Sequence, residues 1–312
     1  MSIINGCIIL FFSLTELRYN NCTLLIINMF HFRFRHKPVV FLFSFFIVCS
    51  VSIHAIGDDV PYLHTGLPAC LISTDQFIPR FEYIPAKFCI VNNGDTILGP
   101  ITTTIAGRGN STWSYPKKPY KIKFSQSIAL LGMPAGKTFS LLANYCDKSL
   151  MRTAVGFTIG RVLRQPWVPE SRFVELVLNG EHLGTYQLTE SVKVSDNRVQ
   201  LGETGFMVEY DTHYYQADYS FHTGVFNYPI AFKYPDNNLD TAILEYVCRF
   251  FNEWEGALHA SDYLETRHWS DYIDIESFAK WYYQKNLLQM EECNRYYLKN
   301  DTTSQSRLCM GP

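Results

Sequence analysis

Between Leu67 and Ile105 the chain sets short apolar runs, ACLIST, KFCIV and ITTTIAG, between Pro, Gly and Asn-Gly punctuation, which predicts short strands. YKIKF (Tyr120 to Phe124) alternates strictly, placing Tyr120, Ile122 and Phe124 on one face and Lys121 and Lys123 on the other. SLLAN (Ser140 to Asn144) is apolar and leads into a helical stretch. There Asp147 can cap, Leu150, Val155, Ile159, Val162 and Leu163 lie near helical spacing, and Pro166 ends the run. FVELVLNGEHLGTYQLTE predicts a hairpin turning on Asn179-Gly180, and FMVEY (Phe206 to Tyr210) a further strand. Helical spacing returns over Thr241 to Leu258 and Ile275 to Glu291. Strands first and helices last predict an α+β, two-lobed architecture.

The strongest apolar run is a different feature. Arg33, Arg35 and Lys37 precede an uncharged segment, Pro38 to Val51, that closes on SIHA. This is the length and order of a secretory signal, with cleavage expected after Ala55 and an uncleaved anchor as the alternative. A signal should start at the N-terminus, so translation is expected to begin at Met29. Residues 1–28 then read as a mis-called extension, 29–55 as the signal peptide and 56–312 as the exported domain. The location implied is secreted or cell surface, with the membrane reached only through the signal or an uncleaved anchor.

Composition supports a folded core and narrows the partners. The 312 residues are 47% hydrophobic and 18% charged, with 27 basic against 29 acidic residues. Four basic residues and one acidic residue fall in 1–55, which leaves 23 against 28, a net −5, for the exported part. No basic field is available for nucleic acid. Cys70, Cys89, Cys146, Cys248, Cys293 and Cys309 show no CxxC and are expected to be mostly buried free thiols, with Cys70–Cys89 the pair to test first. The histidines have neither HExxH nor HxH spacing, so no zinc site is expected.

Several segments together resemble the spore-coat CotH family, whose members look like atypical protein kinases. They are GRGNSTW (107–113), PKKPYKIKF (116–124), LLGMP (130–134), LLANYCDKSLMRTA (141–154), SRFVELVLNGEHLGTYQLTESVKV (171–194), FMVEYD (206–211) and YIDIESFAKWYY (272–283). The resemblance implies a β-rich N-terminal lobe and a mainly helical C-terminal lobe. It also implies ATP and Mg²⁺ as cofactors and a protein substrate or coat or surface protein as partner.

Phosphoryl transfer needs cations on the phosphates, carboxylates on the metal and a carboxylate orienting the acceptor hydroxyl. A strand lysine beneath a glycine-containing turn supplies the first, and here YKIK follows GRGNS. The resemblance favours Lys123 as the phosphate lysine, with Lys121 as the fallback and a solvated strand face as the plain alternative. Arg108 and Asn110 are the other polar residues of the turn, where they could equally serve turn chemistry; Asn110 also opens an Asn-Ser-Thr sequon. Asp147 and Arg152 start a helix that could face a nucleotide. Glu190 is the candidate partner of the lysine, and Glu209 sits where a hinge strand would pass the adenine.

Two departures bear on activity. Counting without gaps from Phe278 puts Met290-Glu291-Glu292 where the family has Asn-x-Asp, so Glu292 takes the place of the catalytic aspartate on a stem one methylene longer. A displacement of about 1 Å at such a group can cost on the order of a hundredfold in rate. The family's Trp-Asp-Phe-Asp metal motif would follow CMGP, which is Cys309 to Pro312, so no metal ligand is assigned and the C-terminal lobe is expected to be incomplete and the fragment inactive. The function expected is that of an exported kinase-like protein acting on Ser or Thr of protein partners. The alternative is a non-catalytic surface or spore-coat binding protein.

Overall fold

The computed structural model describes residues 13–19, 22–28, 65–201, 205–235, 238–260, 268–288, 295–299 and 307–310. The segment expected to be the export signal (29–55), Met290 and Glu292 lie outside them. Contacts divide the chain into two units, 1–57 and 58–312. In the first, β1 (Ser13–Tyr19) and β2 (Cys22–Asn28) pair antiparallel, Ser13 opposite Asn28.

In the second unit, seven strands close into a barrel: β3 (Ala69–Ser73), β4 (Ile84–Asn92), β5 (Asp95–Gly107), β6 (Tyr120–Ile128), β7 (Gly136–Leu142), β8 (Ser171–Leu178) and β9 (Glu181–Glu190). Their order is β3-β4-β5-β6-β7-β9-β8, and the ring is completed by β3 running parallel to β8 with Ala69 opposite Glu175. Period-2 alternation fills the interior. Phe88, Ile105, Ile122, Phe139, Leu176 and Leu188 are all fully buried in one cluster. Two turns follow from Asn-Gly pairs. Asn93-Gly94 joins β4 to β5, and Asn179-Gly180 joins β8 to β9, each with both residues at positive φ, which the type I′ hairpin turn requires.

Alternation also decides the first cysteine pair. Cys70 points into the core and Cys89 out of it, and both are free thiols. They oppose Ile90 and Leu71 respectively, so adjacent strands carry them on opposite faces. Burial pushes the Cys70 thiol well above its ordinary range.

Helix α1 (Arg152–Val162) leaves the barrel after β7. It starts later than the capping signal at Asp147, because Leu150 takes a left-handed conformation just before it. Asp147 nevertheless serves this end, accepting the Arg152 N–H at 2.7 Å and the Ser149 N–H at 3.1 Å.

The second half is not helical alone. A five-stranded antiparallel sheet runs in the order β11-β12-β10-β13-β14, from β10 (Phe206–Tyr210), β11 (Ser220–His222), β12 (Pro229–Tyr234), β13 (Arg295–Lys299) and β14 (Arg307–Met310). Against it lies α2 (Thr241–His259), capped by Asp240, whose side chain accepts the Ala242 N–H at 2.9 Å. Phe206, Val208, Ile230 and Phe232 of the sheet bury Val247, Phe250 and Phe251 of the helix in a second core. Helix α3 (Ile275–Leu288) follows and returns to α1. The molecule is thus α+β in class, with a closed barrel where the resemblance implies a kinase N-terminal lobe. Among the described residues no helix is long and apolar enough to cross a membrane.

Candidate functional site

The outer face of the barrel carries a polar row. Lys121 on β6 stands opposite Ser140 on β7, and Ser140 opposite Thr189 on β9. Neighbouring strands hold these side chains on the same face, because pairing in register preserves the alternation. Ser191, just past β9, shares a hydrogen bond of 3.0 Å with Ser140 between hydroxyl oxygens. Arg108 enters from the turn after β5.

Helices α1 and α3 stand over this row and enclose a cavity of about 230 Å³. Thr153, Gly156 and Phe157 come from α1, and Trp281, Gln284 and Lys285 from α3. The two helices are locked by Gln284. Its amide donates to the Gly156 carbonyl at 2.8 Å and accepts from Gln165 at 2.6 Å. Leu142, Pro169 and Val192 supply apolar wall. Lys285 keeps its ammonium 5.0 Å from the centre of the Trp281 ring, a cation–π distance. The cavity therefore gathers three cationic side chains, Arg108, Lys121 and Lys285, with the four hydroxyls of Ser140, Thr153, Thr189 and Ser191.

Glu190 is the one carboxylate among the described residues of this wall, and it is buried. Its Oε2 accepts the Glu170 N–H at 2.9 Å, and its Oε1 lies 3.5 Å from Nε of buried Arg198. Burial holds its carboxyl above the usual range in spite of both contacts. Arg198 is fixed in turn, donating to the Ser191 carbonyl at 2.8 Å and the Thr138 carbonyl at 2.9 Å. The ion-pair partner the structure gives Glu190 is thus Arg198.

The remaining candidates lie elsewhere. Lys123 shares the outer face with Lys121 but does not line the cavity; its ammonium is 5.7 Å from the Tyr83 ring centre. Asn110 ties the turn down, accepting from Arg80 and meeting Nδ1 of His213 at 2.9 Å. Arg152, at the start of α1, is not a wall residue either. Glu209 on β10 lies 3.3 Å from Lys233, which also holds Asp211 at 2.9 Å. Glu292 is outside the described residues.

The glycines of GRGNSTW have separate duties. A Cβ on Gly107 would meet the Trp113 ring at 2.4 Å, so that ring lies flush on bare backbone. Gly109 takes φ +86°, the left-handed region open to glycine. Together they set the turn that presents Arg108. Burial pushes the nearby Tyr83 hydroxyl up to about 12, with the Arg108 charge acting against it.

The family model described as CotH kinase protein matches residues 105–309. The chain belongs to the CotH kinase protein family. No curated protein matches it. The matched span of this CotH-family chain begins at the end of β5 and includes every wall residue of the cavity. It leaves out β3, β4 and most of β5, so strands ahead of the family region complete the barrel on which the site is built. Ser140 and Ser191 escape motif reading because they pair across strands. Trp281, Gln284 and Lys285 could have been found from their one-turn spacing in α3, once a surface opposite them was known.

Proposed function

We propose that the cavity between the barrel and helices α1 and α3 binds the phosphate end of ATP, in an exported CotH-family protein that resembles a Ser/Thr kinase. The observation that carries this reading is the convergence of Lys121, Arg108 and Lys285 on one cavity, beside the hydroxyls of Ser140, Thr189 and Ser191. Fixed cations and neutral donors in a partly dehydrated cleft are what a polyphosphate needs. The volume of about 230 Å³ is below the roughly 300–1,000 Å³ of pockets that enclose a drug-sized ligand, so it matches one end of a nucleotide.

ATP, when bound, would supply the transferable phosphoryl group. Lys121 and Arg108 would neutralise phosphate oxygens from the barrel side, Lys285 from the helix side, and Phe157 and Trp281 would exclude water. For Mg²⁺ the fit is poor. Among the described residues no group of three or more His, Cys, Asp or Glu is placed to hold a metal, and Glu190 is already engaged by Arg198 and the Glu170 N–H. No step is assigned through the metal. That same engagement favours a second reading, a coat or surface protein that binds without transferring.

The test is ATP binding to the full chain, followed by transfer of labelled γ-phosphate to itself or to an added protein. Lys121→Ala should weaken binding at least tenfold, while Lys123→Ala leaves it within twofold. Absence of ATP binding at millimolar concentration would overturn the proposal. Binding without labelling would select the non-catalytic reading.

A further inference from the structure

The face of α2 turned to the sheet carries buried Val247, Phe250 and Phe251 and half-buried Trp254, and helical spacing places position 255 beside them. The residue there is Glu255, only 3% exposed. It lines a second cavity, of about 280 Å³, that shares no residue with the first. Tyr210 comes from β10, Phe226 and Tyr228 from the loop between β11 and β12, and Phe251 and Trp254 from α2.

Part of the role of Glu255 is structural. Its Oε2 accepts the N–H groups of Val225 at 3.0 Å and Phe226 at 3.2 Å, and Asn252 accepts that of Gly224 at 2.7 Å. The loop is also closed on itself, with Thr223 Oγ1 accepting the Tyr228 N–H at 2.9 Å. These bonds fix the aromatic rings in place: Phe226 stacks on Tyr228 at 5.3 Å, and Tyr228 meets Tyr210 edge-on at 5.2 Å. They account for one carboxylate oxygen. Among the described residues Oε1 takes no hydrogen bond and the cavity wall holds no lysine, arginine or histidine, although the His259 ring packs 4.8 Å from that of Phe226. A buried carboxylate without a cation is costly, so a cation brought to Oε1 would be favoured. Rings present negative faces, so an aromatic wall attracts the same charge that the carboxylate lacks.

We propose that this cavity binds an alkylammonium group, with the ammonium against Glu255 Oε1 and its alkyl carbons against the rings of Tyr210, Phe226 and Tyr228. Phe226 is 38% and Tyr228 48% exposed, so the group enters over their edges. The volume admits a side-chain-sized ligand, and both a lysine side chain on a protein and a free amine carry the chemistry. Calorimetric titration of the full chain with n-butylammonium chloride and with n-butanol, its neutral isostere, tests the charge requirement. The ammonium should bind at least tenfold more tightly. N-acetyl-lysine-N-methylamide identifies the source: binding at least as tight as butylammonium points to a lysine side chain, and weaker binding to a free amine. Glu255→Gln retains an oxygen for the Val225 and Phe226 N–H groups and should abolish the preference for the cation. Tyr228→Ala, at the exposed rim, should weaken butylammonium at least threefold with the thermal midpoint nearly unchanged. Equal binding of butanol, undiminished binding by Glu255→Gln, or an unaffected Tyr228→Ala would overturn the proposal.

Discussion

Asp211 shows how a single carboxylate ties the second sheet to the turn that carries Arg108. Burial alone would push its pKa up. Hydrogen bonds from Lys233 at 2.9 Å and from the His213 N–H at 2.8 Å outweigh that, and hold it below the ordinary carboxylate range. His213 in turn meets Asn110, beside Arg108. A carboxyl whose pKa is lower folded than unfolded adds stability that is complete above the unfolded value, about 3.9. That stability is lost as pH falls through the lower, folded value. The chain is therefore expected to lose stability below about pH 4, and Asp211→Asn to lose less of it over that interval. Urea midpoints measured from pH 6 to pH 2.5 check this; identical acid dependence in the two proteins would remove Asp211 as a contributor.

At the scale of elements, the cavity over Lys121 depends on how closely α1 and α3 approach. Gly156 is the contact: a Cβ there would stand 3.0 Å from Leu288 Cδ1, and its carbonyl already takes the Gln284 amide. Gly156→Val should therefore wedge the helices apart, with a cost of about 1–3 kcal/mol from overpacking. The same displacement moves Trp281 and Lys285, so affinity for ATP should fall at least fivefold if the phosphate end binds where we propose. Denaturant unfolding and nucleotide titration of the variant measure both effects. The sequence foretold these elements unevenly. The hairpin at Asn179-Gly180 and the helices α2 and α3 were legible because their signals are local: a paired left-handed turn, and apolar residues one turn apart. Alternation likewise put Lys121 and Lys123 on one face. It could not say which of them the helices would cover, because that depends on α1 and α3 meeting over Lys121, and α3 lies far along the chain.

At the scale of the whole molecule, what was hardest to read is what joins distant segments. The barrel closes through β3 and β8, about a hundred residues apart, in a parallel pairing that no turn announces. The second sheet draws β10, β12 and β13 together across α2 and α3. Each construction carries its own core, and each borders a cavity, a cationic one on the barrel and an aromatic, acidic one on the sheet. Opposite chemistry in separate cavities predicts separable ligand responses. A ligand that binds only the folded state stabilises it by about 2.7 kcal/mol at a hundred times its Kd, and slows exchange most where the elements it touches open locally. In hydrogen-exchange measurements on the full chain, ATP should slow the amides of β6, β7, α1 and α3 while leaving the loop at 223–228 unchanged. Butylammonium should slow that loop and the end of α2 while leaving β6 and β7 unchanged. If either ligand protects both regions equally, the two cavities do not act as independent sites. If ATP protects the 223–228 loop alone, the phosphate assignment to Lys121 fails even though the alkylammonium assignment could still hold.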